Sequence, residues 1–172
     1  MTLEELIKDK TVKSKEKVDI ISKWIIDTSL PTDELIAFSE KSKDPVKATC
    51  IEALEYATKQ NPNLADETVF SFVTKTLIEK ASRIKWESAK VIGNTAHLFT
   101  ENLDQAITSL LDNTKHEGTV VRWSAAFALG EILKLKTKHN VTLLPVLEDI
   151  SEKEEKNSIK KIYLDAIKKT KK

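Results

Sequence analysis

One segment of this 172-residue chain occurs twice, and the two copies lie 37 residues apart. Residues 82–98 read SRIKWESAKVIGNTAHL and residues 119–135 read TVVRWSAAFALGEILKL. The alignment matches a basic residue, a tryptophan, an alanine and a glycine at equivalent positions. A period of roughly 20–50 residues is typical of proteins built from stacked structural units. The sequence therefore predicts a repeat architecture.

Weaker copies extend the same alignment in both directions. The chain reads DPVKATCIEALEYA around Lys47 and NSIKKIYLDAIKK around Lys160. With Lys85 and Arg122, these basic anchors are separated by 38, 37 and 38 residues. A further copy around Lys17 has a shifted spacing of 30 residues. We divide the single domain, residues 1–172, into a degenerate N-terminal cap and four further repeats, with approximate bounds 1–29, 30–62, 63–99, 100–138 and 139–172.

Within each copy the apolar residues recur with the period of an α-helix. In the copy at 119–135 they fall at i, i+4, i+7, i+8 and i+11 and form one stripe along a helix. This stripe consists of Val121, Ala125, Ala128, Leu129 and Ile132. Amphipathic segments of a second set precede these helices. They consist of residues 31–41, 66–80, 101–114 and 140–150.

Composition and local signals support a helical chain. Three glycines and four prolines are too few for the many turns of a β-sandwich or barrel. Thr2 with Glu5, and Ser151 with Glu154, have the spacing of a capping box at a helix start. We expect an all-α superhelix, a solenoid of about four to five hairpins, each with an outer and an inner helix.

The repeated segments resemble the HEAT-repeat family over about residues 30–170. The likeness rests on Val121-Arg122-Trp123 with Ala125, Ala126, Leu129 and Gly130, on Ile84-Lys85-Trp86 with Ala89, Ile92 and Gly93, and on Asp44-Pro45-Val46-Lys47. In that family the inner helices line the concave surface, and the commonest role is to bind other macromolecules. The resemblance implies a HEAT-like solenoid that acts as a binding module or scaffold.

No catalytic or metal-binding pattern stands out in the sequence. His97, His116 and His139 are scattered and Cys50 is the only cysteine, so the ligand spacing of a structural zinc site is absent. The motifs GxxxxGK[ST], GxGxxG and GxSxG do not occur. We therefore expect a protein that is not an enzyme, has no catalytic residues, and uses no metal and no cofactor.

The charge is nearly balanced over the whole chain, with 28 basic and 27 acidic residues. Residues 151–172 are an exception, because they hold eight lysines against four acids. This end can contact nucleic acid, or it can be a solvated terminal helix. The N-terminus has no signal pattern and no apolar run reaches the roughly 18 residues of a membrane span. We expect a cytoplasmic protein that does not bind membranes.

Each strong copy carries a tryptophan directly after its basic residue. At about 100° per helical residue, Trp123 lies away from the apolar stripe and shares a face with Phe127. Trp86 shares the corresponding face with Lys90. Exposed aromatic side chains flanked by cations are typical of binding hot spots. The pattern indicates a binding groove on the concave face.

Two structural alternatives stay open for these residues. A tryptophan ring can fill the seam between neighbouring inner helices, for example Trp86 over Ala126 or Gly130. The basic anchors, including Lys85 and Arg122, can pair with acids of adjacent repeats instead of contacting a ligand.

The mixed charge of the groove, which has acids on the adjacent rung, favours a protein or peptide partner. The predicted partner-binding residues are Trp86, Trp123, Phe127, Lys85, Arg122, Lys90, Glu52 and Glu55.

The alternative is nucleic-acid binding through the aromatic groove and the lysine-rich C-terminal helix. Some HEAT-like solenoids are alkylpurine DNA glycosylases, which hold DNA in a basic, tryptophan-lined groove and use an aspartate. This chain is distantly similar to them in Trp86, Trp123 and the basic anchors. It lacks the expected aspartate, because Lys90 and Phe127 stand one turn after the tryptophans.

Overall fold

The computed structural model describes all 172 residues, and it contains helices and no strands. The ten α-helices are α1 (Leu3–Lys8), α2 (Ser14–Ile26), α3 (Thr32–Glu40), α4 (Asp44–Gln60), α5 (Glu67–Thr76), α6 (Ser82–Thr95), α7 (Asp104–Asn113), α8 (Thr119–Lys134), α9 (Asn140–Lys153) and α10 (Asn157–Thr170). Short 3-10 turns cover Pro62–Leu64, Ala96–Leu98 and Thr100–Asn102. The all-α prediction is confirmed.

The helices pack in two rows. The even-numbered helices, α2 to α10, form an inner row in which each helix packs most extensively on the next even-numbered helix. Each odd-numbered helix packs against the inner helix that follows it and forms the outer row. The chain is thus a stack of five helical hairpins, and the expected solenoid is confirmed.

The core lies between the two rows and is continuous from the first hairpin to the last. Leu3 and Leu6 of α1 belong to the same hydrophobic cluster as Tyr163 and Ile167 of α10. The stripe that the sequence predicts on α8 is fully buried. Because a single hairpin cannot bury its own apolar surface, neighbouring hairpins bury each other, as in other stacked-repeat proteins.

Glycine occurs where neighbouring inner helices approach closely. A Cβ atom on Gly93 of α6 would lie only 2.4 Å from ring carbon Cε2 of Phe127 in α8. A Cβ atom on Gly130 of α8 would lie 3.2 Å from the Cβ atom of Ala166 in α10. Glycine inside a helix costs about 1 kcal/mol relative to alanine, and the close approach at Gly93 explains why that residue is used.

The two predicted capping boxes have different outcomes. Thr2 caps α1, since its hydroxyl accepts from Glu5 N at 3.1 Å and the Glu5 carboxylate accepts from Thr2 N. The predicted box at Ser151 is wrong, because α9 continues through this residue to Lys153. The Ser151 hydroxyl donates to the carbonyl oxygen of Glu148 inside the same helix at 2.7 Å.

Candidate functional site

The sides of the inner helices that face away from the outer row form one surface, which we call the inner-helix face. It carries Glu52 on α4, Trp86 and Lys90 on α6, and Trp123 and Phe127 on α8. All of these side chains are half-buried except Trp123, which is exposed. In a stacked-repeat protein this is the side that offers an extended binding surface. Five of the eight predicted site residues therefore lie together.

The aromatic pair on α8 combines a packing role with an exposed ring. Trp123 and Phe127 are one helical turn apart, and their rings stack at a centroid distance of 5.9 Å and an interplanar angle of 10°. Phe127 covers Gly93 of α6 and closes the seam between the two inner helices. Trp123 rests on Phe127 and stays 39% exposed.

The residue that fills the seam is thus Phe127, which comes from the later helix. The proposed contact of Trp86 with Gly130 is wrong, because the atoms nearest that glycine belong to Ile162 and Ala166 of α10. Trp86 stays half-buried on the inner-helix face.

Two of the basic anchors, Lys47 and Arg122, form ion pairs inside the chain. Lys47 Nζ lies 2.8 Å from the Glu79 carboxylate. The Arg122 guanidinium donates to the Glu154 carboxylate through Nε at 3.2 Å and through Nη2 at 3.3 Å. Both acids follow their basic partner by 32 residues. Each pair ties the first turns of an inner helix to the residues that follow the outer helix of the next hairpin.

Lys85, the basic anchor of the third hairpin, also contacts the next hairpin, but through hydrogen bonds instead of an ion pair. Its Nζ donates to the carbonyl oxygen of Leu77 at 3.2 Å and to Asn113 Oδ1 at 3.4 Å. Burial lowers the pKa of the Lys85 amino group. Glu117, which is 32 residues after Lys85, remains exposed.

Lys85 and Arg122 were predicted as partner-binding residues, and the structure places them elsewhere. Each directly follows a buried stripe residue. Its side chain therefore points about 100° around the helix axis from the side that faces the core. That direction points towards the next hairpin rather than onto the inner-helix face. The alternative, in which the basic anchors pair with acids of adjacent repeats, describes Arg122, whereas Lys85 contacts the side-chain amide of Asn113 in the next hairpin instead of an acid.

A buried charge cluster joins α4 to α6 beneath the inner-helix face. Glu55 and Glu87 are both 3% exposed. Lys90 Nζ lies between them, 3.0 Å from Glu55 Oε1 and 3.1 Å from Glu87 Oε1. Burial favours neutral Lys90, but the two carboxylates outweigh it and raise the pKa of this amino group.

Two further contacts close the cluster. Asn94 donates its side-chain amide to the backbone oxygen of Glu55 at 3.2 Å and to its carboxylate at 3.3 Å. Arg83 Nη2 donates to Glu52 Oε1 at 2.8 Å on the rim. Glu55, a predicted partner-binding residue, is therefore buried and engaged within the chain.

Glu87 is the site residue that the sequence reading missed. Burial raises the pKa of this carboxyl from 4.5 to about 7, against the opposing effect of Lys90 and with a contribution from Glu52. The repeat alignment contains a signal for it, because Thr49 and Ser124 stand at the equivalent positions of the neighbouring copies. A glutamate among buried hydroxyl residues indicates a buried charge.

The two ends of the stack differ in whether their cations are paired. At the α4–α6 end the cations Arg83 and Lys90 are paired with carboxylates. At the other end, α10 exposes Lys161, Lys168 and Lys169, and none of the three forms an ion pair. The two aromatic side chains of α8 lie between these ends.

No group of three or more His, Cys, Asp or Glu side chains is arranged to hold a metal ion. None of the helices combines the length and the apolar character needed to cross a membrane.

The sequence matches no family model and no curated protein. Its fold does match solved structures. A designed armadillo repeat protein in complex with the peptide (KR)4 aligns with a TM-score of 0.76 at 17% identity, over 98% of this chain and 80% of that chain. Computationally designed armadillo repeat proteins for modular peptide recognition align with a TM-score of 0.72 at 16% identity, over 97% and 80%.

An engineered protein also aligns, with a TM-score of 0.62 at 14% identity, over 99% of this chain and 97% of that chain. At these identities the likeness shows the fold alone. The fold is a helical repeat solenoid like that of the armadillo repeat proteins, and these neighbours do not distinguish HEAT repeats from armadillo repeats.

Proposed function

We propose that the protein is a non-enzymatic binding module that holds an extended peptide segment of a partner protein on the inner-helix face. The exposure of Trp123 carries this proposal. Its indole is 39% exposed although a packing partner, Phe127, lies against it. Val120, one turn earlier on α8, is 48% exposed. Large apolar side chains side by side on an otherwise polar surface are typical of interaction sites.

The energy available from Trp123 is that of a hot-spot residue. A tryptophan buries up to about 250 Å2, so 39% exposure leaves on the order of 100 Å2 for a partner to cover. At about 25 cal/mol per Å2, covering it contributes about 2 kcal/mol. Residues that contribute this much dominate the affinity of most interfaces.

The arrangement of charge favours a peptide over nucleic acid. Arg83 and Lys90 of the inner-helix face are paired with carboxylates, which leaves them little capacity for phosphate groups. One of the structural neighbours is a complex with the peptide (KR)4, which supports a peptide as the partner. One observation favours nucleic acid, namely the unpaired exposed lysines of α10.

The same reasoning extends to the type of repeat. We propose HEAT-type repeats, because each unit is built from two α-helices, whereas the armadillo unit has three.

A peptide selection tests the function. Random peptides displayed on yeast are selected on the wild-type protein, and the enriched peptides are synthesised for fluorescence anisotropy. We expect Trp123→Ser to weaken their binding by about 10- to 30-fold, which corresponds to about 2 kcal/mol. Val141→Ser is the matched control, because Val141 is 83% exposed but lies on the outer helix α9. A selection without enriched peptides, or equal affinities for wild type and Trp123→Ser, refutes the proposal.

A salt titration with labelled single-stranded and duplex DNA tests the second candidate. We expect no binding at about 50 mM salt, because few unpaired cations face the groove. DNA binding that falls steeply as salt rises, and that is also lost in the variant Lys161→Glu, would support nucleic acid as the partner instead.

A further inference from the structure

A hollow opens between the first turns of α8 and α10, beside the indole of Trp123. Its volume is about 220 Å3. The lining residues are Thr119, Val120, Trp123, Lys156, Ser158 and Ile159. Ile159 is 1% exposed, whereas Val120 and Trp123 are exposed. The hollow therefore has an apolar interior that is in contact with solvent.

The size of the hollow suits one large side chain. A cavity of roughly 150 Å3 lined by apolar residues accommodates a benzene molecule. The hollow exceeds that volume and lies at the edge of the inner-helix face. A leucine or phenylalanine of a bound peptide can enter it and pack on Val120 and Trp123.

The rim of the hollow is cationic. Lys156 is exposed at its edge, and Lys161 lies one turn after Ser158 on the same side of α10. Neither lysine forms an ion pair. Within α10 four lysines face a single acid, Asp165, which leaves a net charge of +3.

The two helix starts border the hollow, and the exposed acids Glu117 and Glu155 directly precede their N-cap residues. The N-cap residues, Gly118 of α8 and Lys156 of α10, make no side-chain capping hydrogen bond. The first backbone N–H groups of both helices are therefore not capped by a side chain, and helix N-termini attract negative charge.

We infer that this hollow is a specificity subsite that takes a large apolar side chain of the partner, and that a neighbouring Asp or Glu of the partner binds Lys156 and Lys161. The inference rests on the proposed peptide-binding function. Charge complementarity selects this occupant. A basic residue next to the apolar side chain would face two unpaired lysines, whereas a carboxylate gains both contacts.

The test uses peptides from the selection described above. We expect the enriched sequences to contain a large apolar residue next to an Asp or Glu. The variant Lys156→Glu/Lys161→Glu should bind these peptides about tenfold more weakly, because the lost contributions of two exposed ion pairs add up to roughly that factor. The matched control is Lys41→Glu/Lys138→Glu, which makes the same change of charge at two exposed lysines outside the hollow. It should bind within about twofold of the wild type.

A charge swap separates a direct contact from an indirect effect. Peptides in which the Asp or Glu is replaced by Lys should bind the Lys156→Glu/Lys161→Glu variant better than they bind the wild type. Circular dichroism of each variant checks that the fold is retained.

The outcomes distinguish this inference from the proposed function. If no peptide is enriched, or if Trp123→Ser has no effect, the proposed function itself fails. If peptides bind and depend on Trp123, but charge reversal at Lys156 and Lys161 changes their affinity no more than the control does, only the subsite is refuted. Enrichment of peptides without an acidic residue also refutes it.

Discussion

Replacement of Glu87 by glutamine tests whether the cluster between α4 and α6 holds a proton near neutral pH. Glu87 is 3% exposed and lies 3.1 Å from Lys90 Nζ. Glutamine has nearly the same size and keeps one oxygen to accept from Lys90, but it has no charge to bury. The substitution therefore removes the cost of desolvating the carboxylate and leaves the packing of α4 on α6 intact.

The sign of the effect follows from the direction of the pKa change. Burial raises the pKa of Glu87 from 4.5 to about 7, so the folded protein binds this proton more tightly than the unfolded chain. The free energy of unfolding must then fall as pH rises between these two values. At about 1.4 kcal/mol per pH unit the loss amounts to about 3 kcal/mol. Below pH 4.5 and above about pH 7 the contribution of Glu87 is constant.

The measurement is urea unfolding of the wild type and Glu87→Gln between pH 4 and 8. The two curves should converge near pH 4 and separate above it, until the variant is more stable by up to about 3 kcal/mol at pH 8. Glu101→Gln is the control, because Glu101 is exposed and forms no ion pair. Its curve should follow that of the wild type. Parallel curves for the wild type and Glu87→Gln would refute the reasoning.

Three further predictions concern packing, the anchors and the single cysteine. Gly93→Ala should lower the free energy of unfolding by about 1–3 kcal/mol because its Cβ meets Phe127. In a Phe127→Ala background the same change should be stabilising, since alanine favours the helix; a loss in both backgrounds contradicts this. Arg122→Met should cost about 2–4 kcal/mol in urea unfolding, as it leaves Glu154 buried and unpaired. Glu154→Gln should recover part of that loss, and equal stability of the single and double variants would count against the pairing. Burial raises the pKa of the Cys50 thiol, so it should react with a thiol reagent only after unfolding; rapid labelling of the native protein would contradict its burial.

The fold was predictable because repetition constrains it at every level. Period, apolar spacing and the shortage of turn residues all indicate the same stack of hairpins. The capping box at Ser151 shows the limit of local signals. Its spacing from Glu154 is correct, but the helix has already begun at Asn140, and the packing of α9 on α10 carries it past the serine.

The site was predictable in its aromatic part and not in its charges. Helical periodicity alone places Trp86 and Trp123 away from the core. The partners of Lys85 and Arg122 depend on how far a long side chain reaches into the next hairpin. A helical wheel does not show that distance. The sequence does carry a signal for it, because an acid recurs 32 residues after both Lys47 and Arg122. Glu87 was missed because a glutamate on a helix is by default assigned to solvent.

The differences between the repeats, rather than their shared residues, give the inner-helix face its chemistry. Trp86 and Trp123 occupy the same position in two copies, whereas Ala48 and Lys161 stand there in the copies on either side. The positions around them diverge. The copy on α6 has Arg83, Glu87 and Lys90 where the copy on α8 has Val120, Ser124 and Phe127. The first set forms an ion-paired link to α4. In the second set Val120 lines the hollow and Phe127 stacks on Trp123, whereas Ser124 is buried. We therefore expect the partner to contact α8 rather than α6, although both copies carry a tryptophan.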